Sequence, residues 1–353
     1  MDTPVAGGTG ICPYNGAQHQ NSLIISCYQK GIAQFDADKV FEMLKHDYML
    51  QGIEHPCGGF AGNRHMKDYI EYGYVPEETG AASNTMEYAF DDWCLGQFAK
   101  ALNKKEDALY FISRSNNYKN LFDKETGFLR RRHKDGTWYQ NFDPLRMGTE
   151  GGWNGPGYME GNAWIYSWFV PQDLPELIQL LGNEVFNARL EDGFAKGYVD
   201  LSNQPNLQAP FLFNYSGKPW LTQRYSRMVA NKFFNTSPYS GWVGEEDEGQ
   251  MGAFFSLISM GLYQMKSGCS IDPYYDLSSP IFEEVIIHLD KSYYSGGDFT
   301  IKTLNNGEKN DFIQSVTLNG KKLHEPRIMH KDIVKGGELI IELGSQPNEA
   351  YWK

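Results

Sequence analysis

The chain lacks most of the features that would settle a function at once. No CxxC pair occurs, and its five cysteines (Cys12, Cys27, Cys57, Cys94 and Cys269) are scattered and odd in number. A structural zinc site and a disulfide framework both explain such a set poorly, and buried free thiols explain it more simply. No apolar run approaches the length of a transmembrane helix, so no membrane insertion of that kind is expected. Positive charge is in deficit: 32 Lys and Arg stand against 44 Asp and Glu, a net charge of −12. Nucleic acid and anionic membrane both need a basic surface, and neither is expected as a partner. The opening residues, MDTPVAGGTGICPYNG, carry neither the basic n-region nor the apolar h-region of a secretory signal.

Aromatic residues are plentiful: 22 Tyr, 21 Phe and 8 Trp make up 14% of 353 residues. Flat rings with polar edges suit the C–H faces and hydroxyls of sugars. A large core built from aromatics accounts for the same content equally well.

From about residue 20 to 265, helical patterns alternate with long loops rich in Gly, Asn, Asp and Trp. One helix is expected after Asp36, which can cap it, through DKVFEMLKHDYML. SNTMEYAFDDWCLGQFAKALNK gives the clearest pattern, with Ser83 or Asn84 as cap and one apolar face from Met86 to Leu102. EDALYFISRSNNYKNLF reads as its antiparallel partner. Further helices are expected at Ala163–Phe169, Pro171–Leu181, Glu184–Phe194, Pro219–Phe234 and Gly249–Met265. Helix pairs with few strands between them suggest a mostly α fold, an α/α toroid, over residues 1–275. Over residues 276–353 the texture changes. EEVIIHLD, FTIKTLN, IQSVTLNG and ELIIEL alternate in the manner of strands, forming a small β-sandwich or a sheet packed on the toroid.

Three loop segments carry the chemistry. In Tyr158–Trp164, Glu160 sits among Tyr158, Trp164, Tyr166 and Trp168. Partial desolvation there would raise its carboxyl pKa, as a general acid requires. Local sequence alone favours a capping or first-turn glutamate instead. The run Glu245-Glu246-Asp247-Glu248 sets four carboxylates between Trp242 and an apolar helix. A solvated acidic loop is the common explanation, and a hard cation such as calcium is the alternative that would offset the repulsion. The amide-rich Asn203-Gln204-Pro205-Asn206 offers neutral oxygen ligands, or simply a polar turn. Together these segments hold the inventory of metal-assisted glycoside hydrolysis, and no Ser-His pair or G-x-S-x-G elbow competes with it.

EGNAWIYSWFVPQD, the Asn203-Gln204-Pro205 segment with FLFNYSGKPWLTQ, and GEEDEGQMGA occur here in an order that resembles glycoside hydrolase family 92. Tyr28-Gln29-Lys30-Gly31, SNTMEYAFDDW and the tail SPIFEEVIIHLD extend the resemblance from about residue 24 to the end. It implies a calcium-dependent, inverting exo-α-mannosidase with an N-terminal β-sandwich ahead of an (α/α)6 barrel. By resemblance Glu160 is the general acid, Glu245 and Asp247 activate the attacking water, and Asn203, Gln204 and Asp247 hold Ca2+. The implied substrate is a mannose-containing oligosaccharide or glycoprotein glycan, and the implied location is periplasmic or secreted. Two positions depart from the usual pattern: Gln204 replaces a common glutamate, and Glu245 a more usual aspartate. The toroid is also expected to be incomplete, with the sandwich domain and early helices missing from the N-terminal side. An inactive remnant that binds sugar or a partner subunit is the competing expectation. A different α/α-barrel glycosidase finds no support in these motifs.

Overall fold

The structure, a computed structural model, describes residues 19–54, 60–151, 155–244, 246 and 249–352. Helices α1 (Gln20–Gln29), α2 (Ala37–Asp47), α3 (Met66–Tyr72), α4 (Ser83–Ala101) and α5 (Lys105–Arg114) form the first group. Helices α6 (Ala163–Tyr166), α7 (Leu174–Leu181), α8 (Asn183–Lys196), α9 (Pro219–Lys232) and α10 (Gln250–Ser259) form the second. Four two-residue strands and short 3-10 turns lie between them, followed by a strand-rich C-terminal part. Mixed helix with C-terminal strands is thus the observed class.

Local chemistry explains several boundaries. Asp36 caps α2 as expected, its carboxylate accepting from the Lys39 N–H at 3.1 Å. The helix expected over Gly249–Met265 stops at Ser259, because Gly261 turns the chain at φ 75°. A side chain at Gly261 would collide with Pro280, so the turn is fixed by close packing. The stretch after α5 tightens into a 3-10 turn at Asn117–Leu121 rather than continuing the helix.

Helix α4 departs most from expectation. It has no single apolar face; from Ser83 to Ala99 every residue is buried, Glu87, Asp91 and Asp92 included. Nor does Ser83 or Asn84 cap it: Ala82 is the N-cap position, and the Ser83 hydroxyl accepts from the Met159 N–H at 2.9 Å. Its buried charges are met by distant partners. Asp91 faces the His19 ring at 3.0 Å and the Tyr48 hydroxyl at 3.0 Å. Packing alone would lower the His19 pKa, but Asp91 outweighs it and pushes it up to about 9.

Strands β1 (Ile53–Glu54), β2 (Phe60–Ala61), β3 (Phe122–Asp123) and β4 (Phe128–Leu129) form two minimal ribbons. A three-stranded sheet combines β5 (Leu262–Tyr263), β6 (Tyr274–Leu277) and β11 (Arg327–Met329) in the order β11-β6-β5. The larger sheet uses β7 (Glu284–Ile287), β8 (Phe299–Leu304), β9 (Phe312–Leu318), β10 (Lys321–Lys322) and β12 (Gly337–Gly344), in the order β10-β9-β12-β8-β7. Only the β8–β12 pair in it is parallel. Leu262, Leu277 and Ile328 from the small sheet share one core with Phe299, Ile301, Val316, Leu339 and Ile341 from the large one. Helix α9 fastens this part to the helices: the Gln223 side chain accepts from the Ile313 N–H at 2.9 Å, and Arg227 donates to the Pro280 carbonyl at 2.7 Å.

Asp276 lies fully buried at this junction, accepting from the Tyr215 hydroxyl at 3.0 Å. Burial pushes its pKa up from 3.8 to about 7, against the pull of Tyr215 and Arg327. Between those values the folded protein holds a proton that the unfolded chain has lost, so stability falls as pH rises through that window. The full fall is at most about 4 kcal/mol. Asp276→Asn should flatten it, as read from denaturation midpoints across the acid-to-neutral range. Superimposable pH profiles for the two proteins would refute the account.

Candidate functional site

The strand-poor stretch from residue 130 to 162 returns to the start of α4. The Ala82 N–H donates to the Gly157 carbonyl at 2.8 Å, and the Met159 N–H to Ser83 as described. Glu160 follows directly, with a left-handed backbone at φ 47° that non-glycine residues adopt at a cost. Gly161 then passes so close to the Tyr166 ring that a Cβ would sit 2.9 Å from it. Asn162 caps α6, its side-chain oxygen accepting from the Ile165 N–H at 2.9 Å. Since Asn162 is the cap, Glu160 is not the capping residue that local sequence favoured.

The desolvation expected of Glu160 is not what the fold provides. Tyr158, Trp164, Tyr166 and Trp168 are all buried, while Glu160 itself is exposed. The rings turn into the core that also takes Phe186, Leu190 and Phe211, and the carboxylate stays on the open side. Much of the aromatic content is therefore core.

Glu160 meets the amide segment directly. The Asn203 side-chain amide donates to the Glu160 carboxylate at 3.1 Å and to its backbone carbonyl at 3.3 Å. Asn203 also caps a short 3-10 turn, its Oδ1 accepting from the Gln204 N–H at 2.8 Å. Gln204 is half-buried in that turn. Three residues beyond Asn203, the Asn206 amide is wholly buried, and neither its oxygen nor its nitrogen has a hydrogen-bond partner among the described residues.

The acidic segment begins against the same turn. Gly244 has φ 73°, and a Cβ there would lie 2.0 Å from the Ser202 carbonyl oxygen. Gly244→Ala should therefore force the two segments apart and cost roughly 2–3 kcal/mol of stability, read from equilibrium unfolding. An unchanged midpoint would mean that the apposition is not fixed. Beyond Gly244, the Glu246 carbonyl accepts from the Gln250 N–H at 3.0 Å and its Oε1 from the Gly252 N–H at 3.2 Å, so it finishes the start of α10. Its other oxygen, Oε2, is buried and has no hydrogen-bond partner among the described residues. Glu245 and Asp247, expected to activate water, lie outside the described residues.

A hard cation fits this chemistry. The Glu160 and Asn203 side chains meet, and among the described residues an orphaned buried carboxylate oxygen belongs to the acidic segment. Among the described residues no group of three or more His, Cys, Asp or Glu could hold a metal ion. Of the thiols, Cys94 and Cys269 are buried and free of disulfides, Cys27 is half-buried, and Cys12 and Cys57 lie outside the described residues.

Sequence reasoning missed the support beneath Glu160. The Tyr166 hydroxyl lies 2.9 Å from the Glu87 carboxylate and 2.9 Å from the Met159 carbonyl. The available signal was a carboxylate on the same helical face as Ser83, one turn on, set between Met86 and the apolar Tyr88-Ala89-Phe90.

Comparison with known proteins sets the class. Residues 12–345 match the glycosyl hydrolase family 92 catalytic domain, and the chain belongs to that family of glycoside hydrolases. More particularly, it is similar to a family GH92 α-mannosidase from Bacteroides thetaiotaomicron, with 28% identity and a TM-score of 0.84 over 95% of this chain and 43% of that one. A family GH92 inverting mannosidase from Bacteroides thetaiotaomicron VPI-5482 gives 29% identity and a TM-score of 0.84, over 96% of this chain and 48% of that one. Among curated proteins, one described as an uncharacterized secreted glycosidase of Arthroderma benhamiae is 30% identical over 94% of this chain and 45% of that protein. The chain thus spans somewhat less than half the length of these relatives. Among the described residues, no helix is long and apolar enough to cross a membrane.

Proposed function

We propose that this chain carries the catalytic centre of a calcium-dependent, inverting exo-α-mannosidase that removes terminal α-linked mannose from oligosaccharides or glycoprotein glycans. The observation that carries the reading is the hydrogen bond from Asn203 to Glu160, which joins the acid segment to the amide segment at one exposed point. The seating of Gly244 on Ser202 sets the residue just before the acidic run against the same turn.

In this reading Glu160 protonates the departing glycosidic oxygen. Glu245 and Asp247 activate water on the opposite face of the ring, with room between acid and base for that water, so the anomeric centre inverts in a single displacement. Asn203 orients the Glu160 carboxylate. Asn203, Gln204 and Asp247 hold Ca2+, which supplies a Lewis-acid contact to the mannose hydroxyls when bound. With Gln204 in place of a common glutamate, this set carries one less negative charge, and weaker calcium affinity follows. An N-terminal β-sandwich completes the mannose pocket, the helices belong to an (α/α)6 barrel, and the protein acts in the periplasm or outside the cell.

The test is proton NMR of α-mannoside hydrolysis in real time. β-Mannose should appear first, a chelator should stop the reaction, and added calcium should restore it. Release of α-mannose first would exclude inversion, and indifference to chelation would exclude the metal.

A further inference from the structure

The Met159 backbone, immediately before Glu160, is held at both its N–H and its carbonyl by α4 and its attachments. Its N–H donates to the Ser83 hydroxyl at 2.9 Å. Its carbonyl lies 2.9 Å from the Tyr166 hydroxyl, which lies equally close to Oε1 of Glu87. Ser83 and Glu87 are one helical turn apart, so a single rigid face of α4 sets both contacts. Tyr166 and Glu87 are almost wholly buried, and no bulk water replaces a missing bond there.

A phenolic oxygen has one proton to give, yet two acceptors stand at 2.9 Å from it. If Glu87 were ionised, one of these contacts would join two acceptors without a proton between them. If Glu87 is protonated, its O–H donates to Tyr166 and Tyr166 donates to the Met159 carbonyl, and every contact is satisfied. Burial favours the neutral acid and outweighs His19, from the segment before α1, and the Tyr166 hydroxyl, which both favour the charged form; Asp91 on α4 and Glu160 on the loop act with burial.

We infer that a protonated Glu87, Tyr166 and Ser83 form a clamp on the two peptide groups flanking the Met159 Cα, and that this clamp holds Glu160 in its left-handed conformation. These three are positioning residues. Their role in turnover rests on the reading of Glu160 as acid, but the clamp itself does not.

Two measurements on the full chain separate the cases. Infrared difference spectra of wild type against Glu87→Gln, at neutral pH, should contain the carbonyl band of a protonated carboxyl in the wild type only. Absence of that band would overturn the proton on Glu87. Hydrogen exchange at the Met159 amide should quicken roughly tenfold in Ser83→Ala, which removes its acceptor, and in Tyr166→Phe, which removes one oxygen while keeping the ring. Exchange deep in α4 serves as the control for folding. Wild-type exchange at Met159 in both variants would overturn the clamp. Mannoside turnover is then read in Tyr166→Phe, where kcat should fall with KM nearly kept. Faster exchange with unchanged kcat would leave the contacts standing and overturn their positioning role for Glu160.

Discussion

Glu160→Gln is expected to cut hydrolysis of a natural α-mannoside by roughly 100- to 10,000-fold, the usual contribution of a positioned general acid. The amide has nearly the size of the carboxyl, and its oxygen still accepts from Asn203 as the carboxylate does at 3.1 Å. The fold should therefore survive while the proton donor is lost. Because Glu160 is exposed, no buried charge is stranded by the change, and stability should move little. Activity close to wild type in this variant would remove Glu160 from the mechanism.

The largest loss of stability is expected at the opposite side of α4. Asp92 is fully buried and receives the Arg114 guanidinium through both oxygens, with the Arg114 Nε donating to Oδ2 at 2.7 Å. The Tyr69 hydroxyl donates to the same carboxylate at 2.8 Å, and Arg114 reaches the Tyr48 carbonyl at 2.8 Å. The guanidinium also lies between 5.1 and 5.6 Å from the ring centres of Phe111, Tyr110 and Tyr69. Burial works against the charge on Arg114, but Asp92 outweighs it and pushes its pKa further up. Arg114→Met leaves Asp92 buried without its counter-ion and should cost about 3–5 kcal/mol in equilibrium denaturation. Adding Asp92→Asn should recover part of that loss, because the stranded charge disappears. A cost below about 1 kcal/mol for Arg114→Met would show that the pair is not structural.

How much of this was legible in the sequence depended on whether the cause was local. The Asp36 cap, the Pro219 start of α9 and the alternation of β8 and β12 are local, and each emerged where periodicity placed it. The nature of α4 is not local. Its acids are tolerated inside because His19, Tyr48, Tyr69, Arg114 and Tyr166 arrive from elsewhere in the chain, which no helical period records. The end of α10 was missed because Gly261 yields to Pro280, a neighbour only in the fold.

The site was legible as three segments but not as a geometry. Glu160 and Asn203 are 43 residues apart, and the bond between them follows from the left-handed turn at Glu160 and the Asn203 cap. Exposure of Glu160 was misjudged because adjacency in sequence to Tyr158 and Trp164 says nothing about which way those rings turn. Here they turn inward.

The central claim is that Glu160 gives a proton to the leaving group, and leaving-group dependence tests it most directly. Wild type and Glu160→Gln are compared on a natural mannobiose, whose leaving oxygen needs protonation, and on α-mannosyl fluoride, whose fluoride does not. The account predicts that the variant loses mannobiose hydrolysis but keeps most of its turnover of the fluoride. Equal losses on both substrates would contradict it.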